Sequence, residues 1–184
     1  VVPKIKLAVF DAQDGLQFDV LRRGVEPKDW KEVTNDEASP RGMTPLFDAI
    51  ARIVSMAEAD NPEKAVIVIM TDGEENASRE VKKEGVKAAL ARAEKRGWEI
   101  VFLGAEFANF ADADAVGVSA HRSMSIGAGR MRASMSTLAR KSQAYYKAES
   151  AAAAPVVFDE ADREESGEAD VQKRKGSGLF KAKK

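Results

Sequence analysis

The chain has 184 residues, of which 44% are hydrophobic and 32% are charged, so it is long enough for one domain of ordinary size and an additional segment. Its 29 basic and 30 acidic residues give a net charge of −1, which gives no general support for a protein that binds nucleic acid or an acidic membrane. The absence of cysteine excludes disulfides and thiolate chemistry, and the longest apolar runs are far shorter than the roughly 20 residues of a membrane span, so we expect a cytoplasmic protein without membrane contact.

The first two predicted strands form an antiparallel hairpin. Residues 4–10 alternate between apolar and polar side chains, and a second alternating run covers residues 16–21. The connection at residues 11–15 ends in Asp14-Gly15, which is typical of a hairpin turn. We therefore predict a hairpin at the edge of a sheet.

The same stretch, AVFDAQDGLQF at residues 8–18, also resembles the opening of the haloacid-dehalogenase-like phosphohydrolases. In those enzymes a strand runs into Asp-x-Asp-Gly and the first carboxylate is the nucleophile, a role that would fall to Asp11. The second acid, Asp14, stands one position late, and the chain after Gly15 continues as a strand. A phosphohydrolase that uses Asp11 is therefore the alternative hypothesis.

A helix is predicted to follow the polar connection at residues 24–43, which contains one short helical turn near residues 27–31. Thr44 stands at the N-cap and Pro45 at the first helical position, where its missing N–H costs nothing. The apolar stripe continues to just before Asn61-Pro62. An N-cap alone is the simplest role for Thr44.

The remaining elements alternate between strands and helices. Residues 65–70 are apolar and β-branched on both faces, which predicts a central parallel strand covered by helices on both sides. Further elements are predicted at residues 78–96 (helix), 98–103 (strand), 107–115 (short helix) and 129–148 (helix, with Met131, Met135 and Leu138 in the core). This order predicts an open, mostly parallel, three-layer α/β sheet of Rossmann-like type over residues 1–148.

Residues 149–184 differ in composition from the rest of the chain. Seven acidic residues lie between positions 159 and 170, and the segment 173–184 is basic. We predict a disordered tail that has too few apolar residues to fold alone. Nucleic acid is not expected as a partner except through this basic segment. The single histidine, His121, has no Ser or Cys arranged with it, so no catalytic triad is predicted.

Two segments carry polar side chains to the edge of the sheet where ligands bind in open α/β folds. Thr44 offers a hydroxyl at the start of a helix, and Asp72 offers a carboxylate at the end of the strongest strand. Hard oxygen ligands of these kinds suit Mg²⁺ or Mn²⁺. The sequence therefore predicts a divalent-metal site that contains Thr44 and Asp72.

Together these segments resemble the von Willebrand factor type A family. Its Gly-x-Thr-Pro-Leu-x-x-Ala-Ile motif stands here at residues 42–50, and its strand ending in Thr-Asp-Gly stands at residues 69–73. The later segment 97–105, GWEIVFLGA, looks like the next strand in stand-alone bacterial and phage-type members. The resemblance covers residues 4–148.

The resemblance implies a metal-ion-dependent adhesion site and no enzymatic activity. Thr44 would bind Mg²⁺ or Mn²⁺ through its hydroxyl, and Asp72 would approach the metal directly or through water. One coordination position would accept an acidic residue of a partner protein. Other residues of the motifs would line that position (Arg41, Glu74, Glu75 and Asn76) or shape the site (Gly42, Pro45 and Gly73).

One part of the family pattern is not found. The family's Asp-x-Ser-x-Ser motif ends a first strand that lies between the strands corresponding here to residues 5–10 and 65–70, whereas Val1 stands at the position of the second strand. The sequence is then a fragment, a chain whose central strand comes from another molecule, or a metal-free assembly protein with a degenerate fold. Full metal binding is expected only if the missing motif is present or is supplied by another chain; with Thr44 and Asp72 alone, we expect weak or no binding.

Overall fold

A computed structural model describes residues 2–39, 42–104, 111–150, 152 and 154–176. The fold is mixed α/β, with one two-stranded antiparallel sheet and one three-stranded parallel sheet. The chain divides into two compact units, the first comprising residues 1–62 and 74–91 and the second residues 63–73 and 92–184. No helix in the described part of the chain is long and apolar enough to cross a membrane.

The first unit contains the predicted antiparallel hairpin, which is confirmed, although among the described residues it forms a two-stranded sheet of its own and not the edge of the parallel sheet. Strand β1 (Ile5–Ala12) pairs antiparallel with β2 (Leu16–Val25), so that Phe10 lies opposite Phe18. Asp14 and Gly15 both have positive φ angles, 58° and 123°, as the tight turn requires. The chain therefore returns along β1 and does not leave the sheet after Gly15 as a dehalogenase-like hydrolase would. A short 3-10 turn at Pro27–Asp29 follows, as predicted.

Helix α1 (Leu46–Asp60) also belongs to the first unit and buries an apolar stripe that includes Leu46, Ile50 and Val54. It ends at Asn61, whose left-handed conformation (φ 47°) lets its N–H bond the carbonyl of Ala57. The predicted N-cap is wrong by one position. Pro45 occupies the cap, and no side chain at that position closes the helix.

The second unit contains the parallel sheet. Its strands are β3 (Val66–Thr71), β4 (Glu99–Gly104) and β5 (Ser123–Ser125), in the order β3-β4-β5. The central strand is β4, which is buried throughout. The prediction that β3 is central and covered on both faces is wrong, because Val68 and Met70 are 37% and 38% exposed while Ile67 and Ile69 are buried.

Helix α2 (Lys83–Lys95) begins five residues later than the predicted position 78. The backbone at residues 78–82 is not helical, and its N–H groups at Ser78, Arg79 and Val81 donate to carboxylates. The helix closes at Gly97 with a φ of 76°, as predicted. Helix α3 (Ala111–Ala115) covers the end of the short predicted helix, whose remaining residues 107–110 lie outside the described residues.

Helix α4 (Met131–Lys147) places Leu138 and Tyr145 in the core of the second unit. The prediction that Met131 and Met135 are also core residues is wrong, since they are 44% and 40% exposed. Met131 and Met135 have the spacing of one helix face. The core, however, covers only the later part of α4, which contains Leu138 and Tyr145.

The C-terminal segment folds where disorder was predicted. It contains α5 (Glu160–Glu165) and α6 (Glu168–Gly176), and Val156 and Phe158 join the core of the second unit. Disorder is therefore the wrong description for residues 154–173. The composition predicted disorder because it does not show that the acidic residues have specific partners. Asp162, for example, is buried and pairs with Lys141 at 2.6 Å. Residues 177–184 of the basic segment lie outside the described residues.

Candidate functional site

The predicted site residues fall in two loops. Thr44 and Pro45 precede α1 in the first unit, and Asp72 and Gly73 follow β3 in the second unit. Arg41, predicted to line the site, lies outside the described residues.

Asn76 holds the backbone of Thr44 from both sides. The N–H of Thr44 donates to Oδ1 of Asn76 at 2.8 Å, and the N–H of Asn76 donates to the carbonyl of Thr44 at 3.1 Å. The Thr44 side chain is left half-buried, and its hydroxyl has no hydrogen-bond partner among the described residues. Asn76, predicted to contact a partner, therefore positions Thr44 in this structure.

Glu75 caps the start of α1. Its carboxylate accepts hydrogen bonds from the N–H of Phe47 (2.8 Å), from the N–H groups of Ala77 (3.0 Å) and Ser78 (2.8 Å), and from the hydroxyl of Ser78 (2.7 Å). Because the first N–H groups of a helix have no partner within the helix and carry partial positive charge, an acidic cap stabilises them. The carboxylate predicted to line the docking position thus faces the helix terminus. Glu74, beside it, is exposed.

Asp48 completes this arrangement and was not predicted as a site residue. Its side chain is only 3% exposed, and its carboxylate accepts hydrogen bonds from three successive backbone N–H groups, those of Arg79 (2.8 Å), Glu80 (3.1 Å) and Val81 (2.7 Å). Its own N–H donates to the hydroxyl of Ser78 at 3.1 Å. The signal in the sequence is an acid in the first turn of an apolar helix, where Asp also suits the helix dipole.

We call Asp48, Glu75, Asn76 and Ser78 the α1 clamp. These four side chains tie the loop at residues 75–81 to the first turn of α1, and each of the two segments supplies acceptors for the other. Asp48 is buried, and polar groups that are hydrogen-bonded to a backbone in this way hold it in one conformation. The clamp therefore fixes the position of Thr44.

Gly42 and Pro45 shape the same loop. The N–H of Ala12 donates to the carbonyl of Met43 at 3.1 Å, and a Cβ atom on Gly42 would lie only 2.8 Å from the carbonyl oxygen of Ala12. Such a contact excludes any side chain at position 42 unless the backbone moves. Pro45 is buried and has no N–H that would need a partner. Gly42 and Pro45 therefore shape the loop that precedes α1 in the first unit.

The end of β3 forms a tight turn around Thr71. Its buried hydroxyl accepts a hydrogen bond from the N–H of Gly73 and donates one to the carbonyl of Gly73, each at 3.1 Å. Asp72, between them, is exposed, and none of the described residues hydrogen bonds to its carboxylate. The Thr-Asp-Gly sequence therefore presents a carboxylate to solvent at the carboxyl end of a parallel strand.

The oxygen atoms of the Thr44 and Asp72 side chains are of the chemical type that divalent metals bind, but they are too few to fill a coordination shell. Both are hard oxygen ligands, as Mg²⁺ requires, yet only one is charged and an octahedral shell needs six donors. Within the described ranges, no group of three or more His, Cys, Asp or Glu side chains is arranged to hold a metal ion.

No family model, curated protein or solved structure matches the chain. The similarity to the von Willebrand factor type A family consequently depends on the motifs at residues 42–50 and 69–73 and on their order in the chain.

Proposed function

We propose that this chain is a protein-interaction module of the von Willebrand factor type A kind, with the Rossmann-like layout of that family, that docks an acidic residue of a partner protein through Mg²⁺ or Mn²⁺. The observation that carries the proposal is that the side chains in and next to the two motifs differ in whether they have hydrogen-bond partners. Glu75, Asn76 and Thr71 are engaged in holding the backbone, whereas the Thr44 hydroxyl and the Asp72 carboxylate have no partner among the described residues.

The residues of the chain have distinct tasks in this proposal. Thr44 and Asp72 are the metal ligands, the α1 clamp sets the position of Thr44, and the Thr71 turn sets that of Asp72. The metal, when bound, would supply an open coordination position for a carboxylate. No bond is made or broken, so the chain acts by binding and not by catalysis.

Metal binding tests the proposal, with Mn²⁺ alone as the probe. We expect isothermal titration to detect weak Mn²⁺ binding that Thr44→Val weakens and Asp72→Asn abolishes. Asp36→Asn changes an exposed acid in another loop and serves as the control, which should bind like the unmodified chain. Equal binding by all four proteins would contradict a site at Thr44 and Asp72.

A metal-free assembly module is the second candidate. It is favoured by the absence of a metal-binding group of three acidic or histidine side chains in the described part of the chain. In that case Asp72→Ala would leave the affinity for a partner unchanged, and removal of divalent metal with a chelator would have no effect. The metal-dependent module predicts loss of binding in both experiments.

A further inference from the structure

Helix α4 is bound on one side by an acidic segment of its own chain. Arg140 and Lys141 both pair with the buried Asp162, at 3.2 and 2.6 Å. The hydroxyl of Thr137 donates to the carboxylate of Glu165 at 3.0 Å. The same segment also contributes apolar residues to the core of the second unit, namely Val156 and Phe158. Carboxylates combined with a few apolar anchors are therefore the chemistry that α4 already binds.

The side of α4 that faces away from α5 is exposed. Because successive residues of a helix are rotated by about 100°, Met135 and Ala139 project roughly 160° away from Thr137 around the helix axis. Met131, Met135 and Ala139 are all exposed. They follow one another at intervals of four residues, so they are neighbours on the helix surface. We call these three residues the α4 stripe.

Basic side chains accompany the α4 stripe. Helix α4, MRASMSTLARKSQAYYK, contains no acidic residue, and its exposed bases Arg132 and Lys147 have no ion pair among the described residues. Arg132 stands three positions before Met135 and is therefore its neighbour on the helix surface. Met and Arg are both enriched at protein interfaces, and the flexible thioether of Met adapts to different partner surfaces. The exposed side of α4 thus combines apolar contact area with unpaired positive charge.

We propose that this side of α4 docks an acidic amphipathic helix of a partner protein, without any metal. Apolar residues of the partner pack against the α4 stripe, and its carboxylates pair with Arg132 and Lys147. The ion pairs between α4 and α5 show the same chemistry on the other side of the helix. Arg132 and Lys147 are separated by about 22 Å along the helix axis, so the partner segment carries acidic residues at both ends of roughly four helical turns.

A protein partner suits this surface better than a membrane. Helices that lie on a membrane surface usually insert Trp, Phe or Leu, whereas the α4 stripe consists of Met and Ala. The chain's own residues 177–184 do not complement the surface either, because they include three lysines and no acid. Charge complementarity therefore favours an acidic segment of another protein.

Binding of a synthetic peptide tests this docking surface. The probe is a fluorescein-labelled helical peptide with leucines at spacings of three and four residues and glutamates on both flanks, and the control peptide has glutamines in place of the glutamates. EDTA is present throughout, so that the proposed metal site does not contribute. We expect fluorescence anisotropy to show that the full chain binds the acidic peptide about tenfold more tightly, or better. No binding, or equal binding of the two peptides, would overturn the proposal.

Substitutions test whether the acidic peptide binds to α4. We expect Arg132→Glu and Met135→Glu each to weaken binding by about tenfold or more, because each places a carboxylate against the acidic peptide. Both positions are exposed, so the fold should be retained, which circular dichroism checks. Arg52→Glu changes an exposed arginine on α1 and is the control, which should bind like the unmodified chain. Unchanged affinity in either α4 variant, or binding of the unmodified chain to phosphatidylserine vesicles but not to the peptide, would contradict an acidic protein partner.

Discussion

The carboxylate of Glu75 accepts a hydrogen bond of 2.8 Å from the backbone N–H of Phe47, a residue in the first turn of α1 that lies 28 positions earlier in the chain. Pro45, at the N-cap, provides no side-chain cap of its own. The start of α1 is therefore completed by a distant loop, and the same loop holds Thr44 through Asn76. The stability of the first unit and the position of Thr44 are consequently coupled.

Removing the Glu75 carboxylate should destabilise the first unit. We expect Glu75→Ala to lower the free energy of unfolding by about 1–3 kcal/mol, because four donors, including the helix N–H of Phe47, lose their acceptor. Urea denaturation measures this change. Glu80→Ala, which alters an exposed carboxylate in the same loop, is the control and should change stability by less than about 0.5 kcal/mol. Equal effects of the two substitutions would contradict the capping role.

Asp48 should be the most sensitive member of the α1 clamp. We expect Asp48→Ala to cost roughly 2–4 kcal/mol, since the N–H groups of Arg79, Glu80 and Val81 would lose a shared acceptor. Asp48→Asn keeps one acceptor oxygen and should cost less. Hydrogen exchange at the amides of residues 79–81 reports the effect locally. Unchanged protection of these amides in Asp48→Ala would show that the clamp does not hold the loop.

Local sequence signals predicted the elements whose structure depends on local chemistry. The Asp14-Gly15 turn specified the hairpin, Gly97 ended α2, and the apolar run of β4 indicated its burial. The exposure of β3 was not predictable in the same way. A uniformly apolar sequence predicts a central strand. Whether the strand is buried depends, however, on which other elements pack against it in the fold.

The site was predictable only in part for a similar reason. Thr44 and Asp72 stood out as polar residues at the ends of elements, and both have polar side-chain groups with no partner in the described part of the chain. The clamp role of Glu75 and Asp48 depends on pairings 28 to 33 residues apart, which periodicity does not encode. The folding of the C-terminal segment was not predicted. Its few apolar residues, such as Val156 and Phe158, pack against a core that is formed by residues elsewhere in the chain.

Two adjacent valines test whether the C-terminal segment is folded. Val156 is fully buried in the core of the second unit, whereas Val157 is partly exposed. We expect Val156→Ala to cost about 2 kcal/mol of unfolding free energy and Val157→Ala clearly less, because only the first removes buried methyl groups. Thermal or urea denaturation of the pair gives the comparison. A disordered segment would make both substitutions neutral.

Alkaline titration tests the packing of α4. Burial raises the pKa of Tyr145 to about 12 and also raises the pKa of Tyr146, and these are the only tyrosines in the chain. Since the folded protein favours the neutral phenol, the stability from Tyr145 is complete below about pH 10 and is lost as the pH rises through about 12. We expect tyrosinate absorbance to appear well above pH 10 in the folded protein and near pH 10 in urea. Titration near pH 10 in both would contradict the buried position.

The most direct test of the proposed docking site is paramagnetic broadening by Mn²⁺ in the ¹H–¹⁵N spectrum of the full chain, which detects a weak site as readily as a strong one. The proposal predicts that the amide signals of Thr44 and Gly73 broaden together at the lowest Mn²⁺ concentrations, and that Asp72→Asn abolishes the broadening at both. Broadening elsewhere alone, for example among the acids of α5, or broadening at Thr44 that survives Asp72→Asn, would contradict a metal site shared by Thr44 and Asp72.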